Sequence, residues 1–486
     1  MYACSSLTGD TVVRRAVCLC HRPEIHTLTS RINADLSRRG FVAGMAASVA
    51  ALGLPFKAKA QSATPAPPGS TLFTNVRIFD GRSASLRDGL HLLVEGNRIK
   101  AIASGTPATP EGAQRIDCQG RVMMPGLIDA HWHSLFAALP LPVLLQGNMG
   151  YIHLAGSAEA ERTLLRGFTT VRDLGGPVFA FKQAIDEGLI AGPRIYPCGA
   201  MITGSGGHGD LRPLSDVPRT PGVQSFTERT GAAAIVDSPD EIRMRVREQL
   251  TQGASQIKIV GGGGVSSPRT PLDLTTLSEA EVRAAAEVAK DWNTYIAVHA
   301  YAPATVQRAI NAGARCVEHA HLMDDATARL MADKGVWLST QPFLSDEDTG
   351  RLTGPNLVSA QQVFGATDGL YKLAKKYKIK TAFGSDMLFS PALARRQGTM
   401  LTHLTRWFSN SEILTMATST NAQLMGLSGP RNPYPGKLGV LEEGAYADLL
   451  LVDGNPLDNI ALLATPETSL MIVMKDGKVH KNTLKG

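Results

Sequence analysis

The chain has 486 residues, of which 43% are hydrophobic and 19% are charged, and its formal net charge is +6. This is a globular composition, and the length suffices for a barrel-sized domain plus a smaller one. The sequence contains no apolar stretch of membrane-spanning length. Part of the positive charge lies in the N-terminal segment, so it indicates no nucleic-acid partner, and the six scattered cysteines exclude a disulfide framework.

The first 60 residues are predicted to be an export leader. Arg38 and Arg39 precede an apolar stretch, residues 43–54, and residues 58–60 have the small-x-small pattern of a cleavage site. Paired arginines ahead of such a stretch are typical of a twin-arginine signal, with an ordinary secretory signal or a chance pair as alternatives. We therefore expect an exported protein, periplasmic or secreted, in which residues 61–70 form a linker.

Both ends of the mature chain predict short β-strands. Residues 71–79 alternate apolar and polar side chains before the turn at Asp80-Gly81, and residues 447–452 precede a similar turn. This pattern is typical of hairpins. Because neither end has enough strands for a sandwich, we predict one small discontinuous β-sandwich domain built from residues 71–124 and 432–486.

Residues 125–431 alternate short apolar runs with helical patterns. Runs such as 256–260 and 295–299 are typical of buried parallel strands, and a capping box of Ser278 and Glu281 begins the helix predicted for residues 278–292. Repeated units of this kind predict an α/β fold, a (β/α)8 TIM barrel. The active sites of such barrels lie at the C-terminal ends of the strands.

The first barrel strand ends in a pair of candidate metal ligands. A Pro-Gly turn and a short apolar run lead to His131 and His133, which are spaced by two. Residues with this spacing on a strand point to the same side, so the two imidazoles can hold one metal ion. A surface pair of histidines is the alternative.

Further residues of ligand type lie in or after later apolar runs. Lys258 lies within one, and a buried lysine is costly unless it is paired or neutral. A neutral amine can take up carbon dioxide to become a carbamate, which can bridge two metal ions. His299, His319 and Asp386 each close a run. Taken singly, Lys258 is explained by a salt bridge, each histidine by a hydrogen bond in the core, and Asp386 by a helix cap. These explanations do not account for the order in which the residues follow one another on successive strand ends.

This pattern resembles the amidohydrolase superfamily with a binuclear metal centre, over nearly all of the chain after Gln61. The motifs that carry the resemblance are residues 125–133, 169–173, 318–321, 384–386, 417–422 and 441–450. The ligands that it implies are His131, His133, Asp386, His299, His319 and a carbamylated Lys258. The first three would bind one divalent ion, the two later histidines the other, and the carbamate would bridge. His321 is a less favoured candidate, and Zn²⁺ suits imidazole and carboxylate ligands.

The glycine-rich stretches 203–209 and 261–264 resemble the subgroup that cleaves dipeptides and N-acyl amino acids, to which ochratoxin-hydrolysing amidohydrolases are similar. Two cations that share a water molecule supply hydroxide at neutral pH. Asp386 can take up the proton and deliver it to the leaving amine, and His208 can donate to the developing oxyanion.

The candidate substrate contacts are Tyr301, Gly262, Gly263, Arg269 and Ser134. A predicted apolar pocket consists of Leu135, Phe136, Leu139, Met387, Leu388 and Phe389.

The sequence thus predicts a metal-dependent hydrolase that cleaves the amide bond of an N-acyl amino acid or dipeptide, such as an ochratoxin-like N-acyl phenylalanine. A cyclic amide hydrolase or lactonase of the same superfamily is the alternative, and a non-catalytic scaffold is the remote one. A mononuclear deaminase is disfavoured because it lacks the bridging lysine. The expected partners are a small-molecule substrate and further copies in a homo-oligomer, without nucleic acid or a membrane span.

Overall fold

The computed structural model describes residues 69–218, 222–267, 269–344, 347–349 and 352–484. The predicted leader and nearly all of the predicted linker lie outside these residues, so export stays a prediction. In the described part of the chain, no helix combines the length and the hydrophobicity that a membrane span requires.

The elements of the described residues follow in chain order. The strands are β1 (Ser70–Ile78), β2 (Arg87–Glu95), β3 (Arg98–Ala103), β4 (Gln114–Asp117), β5 (Val122–Pro125), β6 (Leu127–Trp132), β7 (Phe168–Asp173), β8 (Arg194–Tyr196), β9 (Met201–Thr203), β10 (Ala233–Ile235), β11 (Ile257–Val260), β12 (Ile296–Ala300), β13 (Cys316–His319), β14 (Trp337–Thr340), β15 (Thr381–Phe383), β16 (Leu449–Val452), β17 (Leu470–Lys475) and β18 (Lys478–Asn482). The helices are α1 (Leu141–Gln146), α2 (Met149–Leu165), α3 (Phe179–Asp186), α4 (Phe226–Arg229), α5 (Pro239–Thr251), α6 (Glu279–Asp291), α7 (Pro303–Asn311), α8 (Asp325–Asp333), α9 (Gly354–Gly365), α10 (Thr367–Lys376), α11 (Pro391–Ala394), α12 (Thr399–His403), α13 (Asn410–Thr415), α14 (Asn421–Met425) and α15 (Pro466–Ser469).

Strands from both ends of the described chain share one mixed sheet. Its order is β18-β17-β16-β5-β1-β2-β3, with β4 also paired to β1. The two ends meet where β5 runs antiparallel to β16, with Met124 opposite Leu450. Buried side chains such as Phe73, Leu92 and Ile472 form the core of this sheet. The division of the chain into a separate sandwich domain stays a prediction.

The middle of the chain forms two parallel sheets with helices between their strands. One sheet has the order β6-β7-β8, and the other has the order β10-β9-β11-β12-β13-β14-β15. Strands β11 and β12 are buried along their whole length, as expected where both faces of a parallel sheet are covered. The prediction of a mixed α/β fold with parallel sheets is confirmed.

Helix α6 shows why the local sequence folds in this way. Ser278 caps it and forms the predicted capping box with Glu281, which satisfies two backbone donors at the helix start. Its buried face includes Val282, Ala285 and Val288, and burial of each larger apolar side chain contributes about 1.5–3 kcal/mol. Helices packed in this manner cover the parallel strands, whose C-terminal ends carry the candidate site.

Candidate metal centre

The first strand of the parallel region and the loop after its last strand bring three ligand groups together. The Oδ1 atom of Asp386 lies 3.3 Å from Nε2 of His131 and 3.4 Å from Nε2 of His133. One ligand atom from each of the three residues falls within 4.8 Å of the others. Asp386 has a left-handed backbone, with φ of 50°, and its N–H donates to the His131 carbonyl at 2.9 Å. The backbone therefore holds this carboxylate against both histidines.

A second pair of histidines adjoins this cluster. His299 on β12 and His319 on β13 have ring centroids 4.4 Å apart, and the His319 ring lies 4.9 Å from that of His131. These three histidines are nearly inaccessible to solvent, and burial lowers the pKa of each well below its usual value. Neutral imidazole is the form that binds a metal ion.

The hydrogen bonds of the four histidines fit a metal site. In each ring, one nitrogen lies within hydrogen-bond distance of an acceptor oxygen. His131 Nδ1 lies 2.9 Å from Glu318 Oε2, and His133 Nδ1 lies 3.2 Å from the Gly175 carbonyl oxygen. His299 Nε2 lies 2.8 Å from the Gly263 carbonyl oxygen, and His319 Nδ1 lies 2.7 Å from Gln341 Oε1. That nitrogen must donate, so the lone pair of the other nitrogen stays available. Metal-binding histidines are commonly oriented by such bonds.

Lys258 lies on β11 with only 2% of its surface exposed. Burial lowers the pKa of its amine, although Glu318 and Asp386 act in the opposite direction. Among the described residues, no carboxylate lies within ion-pair distance of its Nζ atom, which disfavours the salt-bridge alternative. A buried and unpaired lysine beside four histidines fits the predicted carbamate.

Two buried acids that sequence reasoning missed hold the ligands in position. Glu318 accepts from His131 on one oxygen and from Nη2 of the buried Arg172 (2.6 Å) on the other. Asp129 Oδ1 accepts from the backbone N–H groups of His131 and Ser385, both at 3.0 Å. Asp129 therefore ties β6 to the loop that carries Asp386. Charged residues inside apolar strands were the available signal for both acids.

We expect Asp129→Asn to lower the free energy of unfolding by about 1–3 kcal/mol, because a buried donor is left without an acceptor. Asp129 Oδ2 accepts from Gln397 Nε2 at 2.9 Å, and an asparagine NH₂ group there would face another donor. Urea denaturation measures the change. The exposed Asp333 gives the control variant Asp333→Asn, and equal stabilities of the two variants would show that Asp129 does not anchor the ligands.

His208 and Tyr301 both lie against the histidines. The His208 ring stacks on His299, with centroids 4.6 Å apart, and its buried Nδ1 has no hydrogen-bond partner among the described residues. Burial lowers the pKa of His208 to about 4, so the ring is neutral at pH 7. Gly264 makes this placement possible, because a Cβ there would lie 2.4 Å from the His208 ring. The Tyr301 ring lies 4.9 Å from that of His319.

The glycine loop folds back on the segment that follows it. The Gly263 N–H donates to the Leu274 carbonyl at 3.2 Å, and substrate binding by Gly262 and Gly263 stays a prediction. Gly262 forms a bridge with Thr275. The glycine is needed for packing, since a Cβ at Gly263 would lie 1.8 Å from the Pro271 carbonyl oxygen.

The remaining candidate residues from the sequence, Arg269, Ser134 and His321, each form hydrogen bonds within the protein. Arg269 donates from Nη2 to the Arg212 carbonyl at 2.8 Å. Ser134 donates its N–H to Asp173 Oδ2 at 2.7 Å, and its Oγ is buried without a partner among the described residues. His321 lies outside the three-residue cluster, and its Nε2 donates to the Gln341 carbonyl at 3.0 Å. The buried core includes Leu135, Phe136, Leu139 and Met387, while Leu388 and Phe389 are half-buried. The apolar pocket that these residues are predicted to form stays a prediction.

A buried group of histidines with an aspartate, at the ends of parallel strands, is typical of a metal-dependent enzyme. The profile of the amidohydrolase family matches residues 122–486, and the chain belongs to this family. It is 29% identical to the ochratoxinase of Aspergillus niger over 379 residues, which covers 74% of this chain and 76% of that protein.

Two crystal structures show the same relationship. An amidohydrolase superposes with a TM-score of 0.79 at 34% identity, covering 86% of this chain and all of the other. A prolidase in complex with N-methylphosphonate-L-proline superposes with a TM-score of 0.77 at 32% identity, covering 85% and 100% of the two chains. The predicted superfamily and its subgroup of dipeptidases and ochratoxinase are confirmed, and the protein is a metal-dependent hydrolase of amide bonds.

Proposed function

We propose that this enzyme hydrolyses the amide bond of N-acyl amino acids or dipeptides whose leaving amino acid has a free carboxylate. N-acyl phenylalanines of the ochratoxin type are the favoured substrates. The observation that carries the proposal is the position of Asp386, which is within 3.4 Å of both histidines of the β6 motif and is partly open to solvent. The similarity to ochratoxinase and to a prolidase supports the substrate class.

We propose that the site holds two divalent ions. His131, His133 and Asp386 would hold one ion, His299 and His319 would hold the other, and a carbamate on Lys258 would bridge them. Imidazole and carboxylate ligands suit zinc. To form the carbamate, the neutral Lys258 amine forms a bond to the carbon of CO₂ and loses one proton. When bound, such ions lower the pKa of water and polarise a carbonyl group.

The side chains of the enzyme would then guide the proton and the substrate. Asp386 takes the proton of the attacking water and delivers it to the leaving nitrogen, because its carboxylate lies beside His131 and His133 and is partly open to solvent. The neutral His208 donates a hydrogen bond to the oxyanion that develops on the scissile carbonyl. Tyr301, packed on His319, contacts the substrate beside this carbonyl.

We further infer that the two parallel sheets close into a (β/α)8 barrel, formed by β6–β8 and β11–β15 beside the small β domain. Two backbone hydrogen bonds bridge the gaps between the sheets. The Asp386 N–H donates to the His131 carbonyl at 2.9 Å, and the Ser255 N–H donates to the Pro197 carbonyl at 2.8 Å. The superposition on a related amidohydrolase supports the same architecture.

A matched pair of substrates tests the proposed specificity. We expect the metal-loaded enzyme to cleave an N-acyl phenylalanine at least about tenfold faster, in kcat/KM, than the corresponding C-terminal amide, since loss of one charge-assisted bond costs about 1.5–3 kcal/mol. Release of the amine product measures both rates. Equal cleavage of the neutral amide would contradict carboxylate recognition and would favour a cyclic amide hydrolase or lactonase.

A further inference from the structure

A cavity of about 910 Å³ opens beside the metal centre, at the ends of β12 and β13. Its walls come from the loop after β11, the starts of the segments that follow β12 and β13, and helices α9 and α10. Leu272, Leu322, Met323 and Leu370 supply apolar surface. Ligand cavities in proteins measure about 300–1,000 Å³, so this space suits a group larger than one amino-acid side chain.

Tyr301 and His321 connect the cavity to the metal centre. The Tyr301 ring lies 4.9 Å from the ring of the candidate ligand His319 and 5.8 Å from that of His321. His321 lines the cavity, as does Ala302, which directly follows Tyr301. The Tyr301 ring therefore lies between His319 and the wall of the cavity, which places the cavity next to the metal centre.

His321 offers one unused hydrogen-bond acceptor at this position. Its Nε2 faces the Gln341 carbonyl at 3.0 Å, and because a carbonyl only accepts, this nitrogen carries the proton of the neutral ring. Its Nδ1 therefore has a lone pair, and it is buried without a partner among the described residues. A buried acceptor of this kind fits an O–H or N–H group of a ligand.

The charge of the walls selects which part of a substrate fits. The described residues that line the cavity include Asp273 but no lysine or arginine, so the walls disfavour a carboxylate. We propose that this cavity binds the acyl group of the substrate, a bulky and uncharged ring system whose O–H or N–H group donates to His321 Nδ1. This inference rests on the proposed function, since it assigns the half of the same substrate that lies away from the leaving amino acid.

Two neighbouring positions on α9 give a matched pair of variants. Ser359 lines the cavity and is half-buried, whereas Val358 is 64% exposed and does not line it. Ser359→Trp is expected to fill the cavity, and Val358→Trp places the same side chain in solvent. The substrates are N-(6-hydroxy-2-naphthoyl)-L-phenylalanine and N-acetyl-L-phenylalanine, and the uncharged 6-hydroxy-2-naphthamide serves as a fluorescent binding probe.

We expect Ser359→Trp to lower kcat/KM for the naphthoyl substrate by roughly tenfold or more, and to weaken binding of the probe equally. Cleavage of the acetyl substrate should fall much less, so that the ratio of the two kcat/KM values drops by roughly tenfold, whereas all values for Val358→Trp should stay within about twofold. Equal loss for both substrates, or no loss for either, would overturn the proposal. A third outcome is that the enzyme binds the probe but cleaves neither substrate, and that Ser359→Trp abolishes this binding. That result would support the cavity and refute the proposed function.

The acceptor has its own test. The measured quantity is the ratio of kcat/KM for the hydroxynaphthoyl substrate to kcat/KM for the naphthoyl analogue that lacks the hydroxyl. We expect His321→Phe to lower this ratio by roughly tenfold. His321→Gln retains an acceptor and should restore part of the ratio. Because both substrates meet the same metal centre, a general loss of activity leaves this ratio unchanged. An unchanged ratio in His321→Phe would therefore remove His321 from the acyl site.

Discussion

Replacing Asp386 with asparagine is expected to lower kcat by about a thousandfold, within the range that general acid–base catalysis contributes. The Asp386 carboxylate meets both histidines of the β6 motif, and an amide neither takes up a proton at neutral pH nor supplies a negative ligand. The left-handed backbone at this position also tolerates asparagine, so the fold should persist.

Steady-state release of the amine product measures this effect, with thermal unfolding as the check of the fold. Asp333→Asn, which changes an exposed aspartate, is the control and should keep normal turnover. A near-normal kcat for Asp386→Asn would remove Asp386 from the mechanism.

Lys258→Ala is expected to abolish activity and to lower the metal content of the protein. The residue is buried on β11 beside Glu318 and Asp386, and without its amine the carbamate that would join the two ions cannot form. Elemental analysis of the purified variant gives the metal content, and added short-chain carboxylic acids should restore part of the activity.

Lys475→Ala is the matched control, because Lys475 is also buried, at 8% exposure, but lies on β17 of the mixed sheet. It should lose stability without losing metal. Retention of a full metal content by Lys258→Ala, in the absence of added acids, would contradict the bridging role of Lys258.

Residue type and position along the chain were enough to single out the candidate ligands. His131 and His133 follow an apolar run at a spacing that places them on one side, and His299, His319 and Asp386 lie at strand ends that a parallel sheet brings together. The same reasoning predicts the mixed α/β fold, because the spacing of the apolar runs reflects alternating strands and helices.

Contacts between distant segments were not predictable in this way. Glu318 orients His131 across 187 positions of the chain, and no local pattern encodes this pairing. The Gly263 amide is occupied by Leu274 because the loop folds back on itself. The cavity beside His321 likewise depends on α9 and α10, whose packing over the ends of β12 and β13 is a property of the whole fold.

We infer that the buried group of histidines, lysine and aspartate is a metal-dependent centre of amide hydrolysis. The most direct measurement is amine release from an N-acyl phenylalanine by the same protein before chelation, after chelation and after addition of Zn²⁺, with the metal content determined at each stage. We expect about two ions per chain in the active protein, loss of cleavage with loss of metal, and recovery with both ions restored. Full cleavage by the protein from which the metal has been removed would contradict the claim.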